Sequence, residues 1–123
     1  MERVTGIGGF FFRSRDPKAL AQWYADHLGI PLVPSNSQEL PWEQEAGTTA
    51  FSPFPQDSGY FRKESAWMVN FRVRNLDAMA AQLRGAGAEV AIEPKSYPQG
   101  RFARTQDPEG NPIELWEPAT PPQ

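Results

Sequence analysis

Apolar and polar residues alternate along this chain with a period that changes several times. Apolar residues at every second position, or in short runs, are typical of strands, whereas recurrence at every third or fourth position is typical of helices. By this criterion the predicted strands are residues 4–14, 31–38, 45–54, 67–74, 88–92, 101–106 and 111–117. A polar segment at 56–65 separates the first three from the last four.

Two helices are predicted, one after the first strand of each half. Asp16 is a candidate N-cap, and it precedes Pro17, a residue type preferred at the first helical position. Asn75 is the corresponding cap of the second helix. Gly29 ends the first helix and the Gly-Ala-Gly sequence at 85–87 ends the second.

The two halves are related by an internal repeat. Displacing the first half by 59 positions brings Phe12 onto Phe71, and a displacement of 63 positions brings Gly47 onto Gly110, because the second half has longer loops. Each half is interpreted as a strand, a helix and three further strands, of which the pattern marks two in the first half. A ferredoxin-like α+β domain also contains two similar halves, but it has fewer strands than this pattern predicts.

The most specific motif is the sequence QDPEGNPIELWEP at 106–118. Asp107, Pro108 and Gly110 are residue types preferred at the first, second and fourth positions of a type I turn. Apolar residues then alternate with Glu114, so the motif predicts a tight reversal followed by a strand. We expect Glu114 to point away from the face that packs against the helices.

This turn and strand resemble the closing hairpin and last strand of the vicinal oxygen chelate superfamily, which includes glyoxalases, bleomycin-resistance proteins and ring-cleaving dioxygenases. The resemblance covers residues 1–118 and implies an α+β fold: two tandem βαβββ modules forming a curved mixed sheet, with helices outside and a ligand cup inside. It implies one glyoxalase-like domain, composed of module 1–55, linker 56–65 and module 66–118. A disordered tail is expected at 119–123.

Composition restricts the expected partners. The formal net charge is −3 and the basic residues are scattered, so nucleic acid is not an expected partner. No apolar run approaches the ~18 residues of a membrane span, and the N-terminus does not resemble a signal peptide. The chain has no cysteine, which excludes disulfides and agrees with a reducing compartment. A cytoplasmic protein without a membrane partner is predicted.

The metal site of the superfamily's enzymes occupies four positions on the first and last strands of the modules. Read through the repeat, these positions hold Gly9, Phe51, Met68 and Glu114. Only Glu114 is a good cation ligand, and the one histidine, His27, is predicted near the end of the first helix. Sites of this kind need several histidine and carboxylate ligands. We therefore expect no metal and no other cofactor.

Alternation from these four positions predicts which side chains line the cup. They are mainly aromatic with a few polar groups, as in small-molecule sites. The predicted ligand-binding residues are Phe11, Arg13, Phe51, Met68, Asn70, Arg72, Glu114 and Trp116. By resemblance to the drug-sequestering proteins of the superfamily, we expect a small, partly apolar or aromatic ligand. A cavity filled by these same side chains is the alternative.

The sequence leaves open whether the chain is an enzyme. Glu114 is interpreted first as a buried carboxylate paired with an arginine, and only as a weak candidate for a catalytic base. The alternative function is a lyase, isomerase or dioxygenase-type enzyme, either metal-dependent or using Glu114 as a base. An interaction module with a filled cup is a third hypothesis. A homodimer is expected from the resemblance, because many relatives are dimers.

Overall fold

The computed structural model describes residues 1–34, 36 and 38–120. Its elements, in chain order, are α1 (Pro17–Leu28), β1 (Val69–Arg72), α2 (Leu76–Gly85), β2 (Ala91–Ile92), β3 (Gly100–Gln106) and β4 (Pro112–Pro118). The two helices and the mixed four-stranded sheet form an α+β fold, which confirms the fold class predicted from the sequence.

Both helices begin at the predicted capping residues. The Asp16 carboxylate accepts a hydrogen bond from the N–H of Ala19 at 3.1 Å, and the Asn75 side chain accepts one from the N–H of Ala78 at 2.9 Å. These bonds satisfy N–H groups that have no partner within the first helical turn. α1 is followed by Gly29, whose φ of 72° is a conformation that glycine adopts without strain.

The strands of the sheet lie in the order β1-β4-β3-β2. β1 is parallel to β4, with Asn70 opposite Glu114. β3 is antiparallel to both of its neighbours, and in the β3–β4 ladder Phe102 lies opposite Trp116 and Arg104 opposite Glu114. Because β4 is paired on both edges, its outward-pointing side chains have neighbours on each side.

One face of the sheet packs against the two helices and forms the core. Ile113 and Leu115 of β4 are fully buried there, together with Leu76 and Leu83 of α2. Tyr24 extends the same cluster from α1. Successive side chains of a strand point to opposite faces, so the β4 residues between and after these apolar positions point away from the helices.

The first half of the chain differs from the prediction. Among the described residues of 4–14, 31–38 and 45–54, none belongs to a strand, and residues 35 and 37 lie outside the described part of the chain. All four strands come from the second predicted module. Alternating apolar residues allow a segment to bury one of its faces in a sheet. A strand also needs an adjacent segment that bonds its N–H and C=O groups.

The side-chain alternation in the first of these segments nevertheless persists. The rings of Phe10 and Phe12 pack against Trp67, with centroids 4.9 Å and 5.2 Å from its ring, whereas the intervening Phe11 is 92% exposed. Phe10 and Phe12 therefore lie on one side of this segment and Phe11 on the other, and Phe11, which was predicted to line the cup, is the most exposed of the three.

The segment after β4 was predicted to be a disordered tail at 119–123. Its first residue, Ala119, donates its N–H to the carbonyl oxygen of Gln99 at 2.9 Å, which ties it to the loop before β3. Residues 121–123 lie outside the described residues. The boundaries of the modules and of the linker stay predictions.

Candidate functional site

The face of the sheet opposite the helices carries the candidate site, and we call it the cup face. Its side chains alternate along β1, β3 and β4 with the residues of the core. The cup face consists of Asn70, Arg72, Phe102, Arg104, Glu114 and Trp116. The strands hold these six side chains at fixed spacing.

Glu114 is the most buried polar group of the cup face, with 7% of its surface exposed. Its Oε2 accepts a hydrogen bond from the hydroxyl of Tyr60, and its Oε1 accepts one from Asn70 Nδ2 at 2.7 Å. The carboxylate therefore has a donor on each oxygen, which offsets the cost of taking it out of water.

The arginine partner predicted for Glu114 is wrong. Within the described residues no arginine forms an ion pair with this carboxylate. Arg104 lies opposite Glu114 in the ladder, but its guanidinium stacks on the Tyr60 ring, 4.5 Å from the centroid, and donates to the Tyr60 carbonyl oxygen. Arg72 donates to the Glu45 carbonyl oxygen at 3.1 Å, and Arg101 points to the helix side, where it pairs with Asp77.

Tyr60 links the segment before β1 to the cup face. The pKa of the Tyr60 phenol is raised to about 12, mainly by burial and then by the hydrogen bond to Glu114 and the negative charge of that carboxylate. The positive charge of Arg104 acts in the opposite direction. The phenol is therefore a proton donor to Glu114 throughout the neutral pH range.

An aromatic row lies beside this polar cluster on the cup face. Phe102 stacks on Trp116 with ring centroids 6.2 Å apart and planes within 5° of parallel, and Tyr97 lies 6.1 Å from Phe102. The Trp116 Nε1 donates to the Gln99 carbonyl oxygen at 2.9 Å. The parallel rings of Phe102 and Trp116 form an apolar surface next to the hydrogen-bonded carboxylate, and Tyr97 meets Phe102 edge-on at 64°. Such a surface is suited to planar molecules.

A tight turn before β3 places Tyr97 in this row. Tyr97 and Gly100 exchange two backbone hydrogen bonds of 2.9 Å. Gly100 has a φ of 132°, and a Cβ at this position would lie 2.1 Å from the Glu117 carbonyl oxygen. The turn consequently requires glycine, both for its dihedral angle and for the close approach of β4.

The turn between β3 and β4 anchors the site to α1. The buried carboxylate of Asp107 accepts hydrogen bonds from the Tyr24 hydroxyl at 2.7 Å, from the Asn111 side chain and from two turn N–H groups. Burial and the bond to Asp107 raise the pKa of Tyr24 well above its usual range. Hydrogen bonds from the Arg15 N–H and the Ser14 hydroxyl lower the pKa of Glu109 in the same turn.

The structure brings together only part of the predicted ligand-binding set. Asn70, Arg72, Glu114 and Trp116 share the cup face. Met68 lies one residue before β1, two positions from Asn70, and is half-buried. The first-half residues Phe11, Arg13 and Phe51 are exposed instead, with Phe11 and Phe51 at 92% and 88%. The site that the described residues form is therefore built from the second half.

The predicted ligand-binding set leaves out Tyr60, Phe102 and Arg104, although Arg104 was considered as an ion-pair partner of Glu114. Phe102 and Arg104 lie in a strand that was predicted, and extending the alternation from Glu114 to that strand would have found them. Tyr60 lies in a polar segment without periodicity, so only the structure could assign it to Glu114.

The donor set of the cup face does not fit a metal ion of the kind used by the superfamily's enzymes. Of the four family positions, Gly9 and Phe51 have no donor atom, and Met68 offers only a thioether. Both Glu114 oxygens already accept hydrogen bonds. Across the described part of the chain, no three His, Cys, Asp or Glu side chains are grouped so that they could hold a metal.

The sheet order and the position of the helices define a protein of the glyoxalase/bleomycin-resistance class. Residues 9–116 match the family described as "Glyoxalase-like domain", and the chain belongs to this family.

Two groups of relatives illustrate this membership. Over 54 residues the chain is 43% identical to "Putative glyoxylase CFP32" of Mycobacterium tuberculosis, a match that covers 43% of this chain but only 21% of that protein. The antibiotic binding protein TnmS3 from Streptomyces sp. CB03234 is 24% identical over 97% of this chain and 100% of its own, with a TM-score of 0.64. A glyoxylase/bleomycin resistance protein/dioxygenase domain from Frankia sp. EAN1pec is 20% identical over 95% and 100%, with a TM-score of 0.58. These two solved structures establish the shared fold.

Neither α1 nor α2 has the length and hydrophobicity needed to cross a bilayer, and the described residues include no other helix of that kind. The cytoplasmic location stays a prediction from the sequence.

Proposed function

We propose that this protein binds a small, partly apolar or aromatic molecule on the cup face and does so without a metal ion. The observation that carries the proposal is the row of Tyr97, Phe102 and Trp116 ending at the Glu114 carboxylate. Aromatic rings supply contact area for a flat ligand, and the few polar groups fix its orientation. Binding of an antibiotic-like molecule would parallel what is described for TnmS3.

The metal-free part of the proposal is supported by the poor donor set at the four family positions. A protein binds a metal ion tightly through several ligands in fixed geometry. A single carboxylate whose two oxygens already accept hydrogen bonds does not provide such a set. Metal analysis of natively purified protein should give far less than one equivalent of Zn, Ni, Fe or Mn. A stoichiometric content of any of these would contradict this part of the proposal.

The geometry favours binding over catalysis by Glu114. A general base must be free to take a proton from the substrate, whereas both oxygens of this carboxylate are engaged by Tyr60 and Asn70. Glu114 in this arrangement is an acceptor that orients a hydroxyl group.

Titration with flat aromatic compounds tests the binding proposal. Intrinsic tryptophan fluorescence, to which Trp116 contributes, should be quenched in part by 1-naphthol and by anthraquinone-2-sulfonate, but not by cyclohexanol at the same concentration. Phe102→Ala should weaken the binding of both aromatic probes about fivefold, since it removes a stacking surface worth about 1 kcal/mol. Trp42→Ala, which removes an exposed indole outside the cup face, is the matched control and should leave both affinities unchanged. Absence of quenching by every aromatic probe would argue for a filled or inactive cup.

A homodimer is the assembly that fits the first half of the chain. Large apolar side chains are exposed there, namely Ile7, Phe11, Leu32, Val33, Leu40, Phe51 and Phe54. Exposed apolar surface of this kind marks interaction sites, and β1 also has an unpaired outer edge within the described sheet. Light scattering should give twice the chain mass, and Phe51→Glu should shift the protein toward the monomer. A monomer at every concentration would exclude this assembly.

A further inference from the structure

Tyr60 is bound on the cup face in the way that a phenolic ligand would be. Its hydroxyl donates to Glu114 Oε2, the Arg104 guanidinium covers its ring at 4.5 Å, and the Phe54 ring lies 5.6 Å away. A hydroxyl donor, a π face and an apolar edge are thus each recognised by a different group. These are the features that any phenol presents.

Two of the groups that contact the Tyr60 side chain, Arg104 and Glu114, have their backbone positions set by the sheet. Arg104 and Glu114 are paired in the β3–β4 ladder, and Asn70 pairs with Glu114 from β1 and donates to it at 2.7 Å. Three adjacent strands therefore hold this part of the site rigidly. Removing the phenol would leave the strand backbone and the bond between Asn70 and Glu114 in place.

Tyr60 itself is held much less firmly. It lies in the segment before β1, outside any helix or strand, and 41% of its surface is exposed. It follows Gly59, and its N–H bonds only to the Ser58 side chain two residues earlier, at 3.2 Å. A tyrosine on irregular backbone can leave such a site at the cost of its hydroxyl hydrogen bond and its ring contacts, while the bond from Arg104 to its backbone carbonyl oxygen does not involve the side chain.

We infer that the Tyr60 side chain occupies the subsite for the ligand's own phenol ring, so that the natural ligand is a flat hydroxyaromatic molecule that enters by displacing Tyr60. The inference deepens the proposed small-molecule function and rests on it. The phenol of the ligand donates to Glu114 and lies under Arg104, and its remaining apolar body extends toward Phe102, which precedes Arg104 on the same face of β3.

The surroundings of Tyr60 also select the protonated phenol. Glu114 is an acceptor, so it binds a hydroxyl and repels a phenolate, and the same surroundings raise the pKa of the Tyr60 phenol to about 12. An aromatic ligand without a hydroxyl would leave the buried carboxylate short of one donor. The subsite therefore discriminates between two compounds that differ only in this group.

Removal of the internal occupant tests the inference with 4-nitrophenol and nitrobenzene as paired probes. The apparent affinity of a ligand equals its intrinsic affinity multiplied by the fraction of molecules in which the subsite is empty. Tyr60→Ala should therefore bind 4-nitrophenol at least about tenfold more tightly than the wild type. Nitrobenzene should gain much less. The yellow absorbance of the ionised 4-nitrophenol should fall on binding, because the bound form is protonated.

Further variants separate displacement from general loosening of the fold. Tyr60→Phe keeps the ring but loses the hydroxyl, so its gain should be smaller than that of Tyr60→Ala. Adding Glu114→Gln to Tyr60→Ala should abolish most of the preference for 4-nitrophenol over nitrobenzene. Trp42→Ala should bind both probes as the wild type does. Thermal unfolding of each variant checks that it is folded.

Two results would overturn the inference in distinguishable ways. Equal gains for 4-nitrophenol and nitrobenzene in Tyr60→Ala, or no gain for either, would show that Tyr60 does not fill a phenol subsite, while the proposed aromatic binding would stand. Absence of binding of every aromatic probe to the wild type and to all variants would overturn the inference and the proposed function together.

Discussion

Residues 66–118 bury or half-bury nearly all of their large apolar side chains, whereas the described residues of 1–55 expose most of theirs. In the second half, Leu76, Leu83, Ile113 and Leu115 are fully buried between the sheet and α2. Among the described residues of the first half, the buried side chains come from α1, and Phe11 and Phe51 are almost fully exposed. The hydrophobic pattern is similar in the two halves, so the difference lies in the strand partners available to each. The hydrophobic pattern determines which side chains face the core, but a strand forms only where an adjacent segment bonds its backbone N–H and C=O groups.

Amide hydrogen exchange should give the largest difference between the two halves. Opening free energies within one protein range from near zero in unpaired segments to the global value of about 5–15 kcal/mol in core strands. We therefore expect amides of β3 and β4 to exchange several orders of magnitude more slowly than those of residues 4–13 and 45–54 in dilute protein. Protection of these first-half segments that grows with protein concentration would support the proposed dimer. Protection independent of concentration would mean that they have strand partners within the chain.

Truncation of matched apolar side chains should repeat this difference in the free energy of unfolding. Leu115→Ala leaves a cavity between the sheet and the helices and should cost about 2–5 kcal/mol. Phe51→Ala removes a larger but exposed side chain and should change the stability of the monomer by no more than about 0.5 kcal/mol. Urea denaturation of both variants checks this. A cost for Phe51→Ala close to that of Leu115→Ala would show that the first half is packed.

The bond between Tyr24 and Asp107 joins the two halves and should have an intermediate effect. Asp107→Ala removes the acceptor of the Tyr24 hydroxyl and of the turn N–H groups, and leaving buried donors unsatisfied costs about 1–3 kcal/mol. Tyr24→Phe removes one donor and should cost about 0.5–1.5 kcal/mol. Both values are measurable by urea denaturation. Equal costs would mean that the turn holds its shape without Asp107.

The sequence was sufficient to predict elements whose determinants are local. Asp16 and Asn75 cap the helices, and the turn that begins at Asp107 leads into a strand with Glu114 on the face away from the helices. Partners that lie far apart along the chain were not predictable in this way. Tyr60 is 54 positions from Glu114, and nothing in its neighbourhood distinguishes it from any exposed tyrosine. Arg72, Arg101 and Arg104, which were among the arginines considered as partners of Glu114, donate to other acceptors. The strand register brings Arg104 opposite Glu114, but the direction of its side chain determines which acceptor it bonds.

Alkaline titration of Tyr60 should give the smallest effect, and it tests whether the segment before β1 is fixed to the second half. The pKa of this phenol is raised from 10.0 to about 12, so the folded state favours the protonated form. The resulting stabilisation is fully present below pH 10 and is lost as the pH rises through about 12. The difference in phenolate absorbance between the wild type and Tyr60→Phe should therefore have its midpoint near 12. In Glu114→Gln the negative charge is absent but burial, the largest cause, remains, so the midpoint should fall only part of the way toward 10. A midpoint near 10 in the wild type would mean that Tyr60 does not contact the cup face in solution.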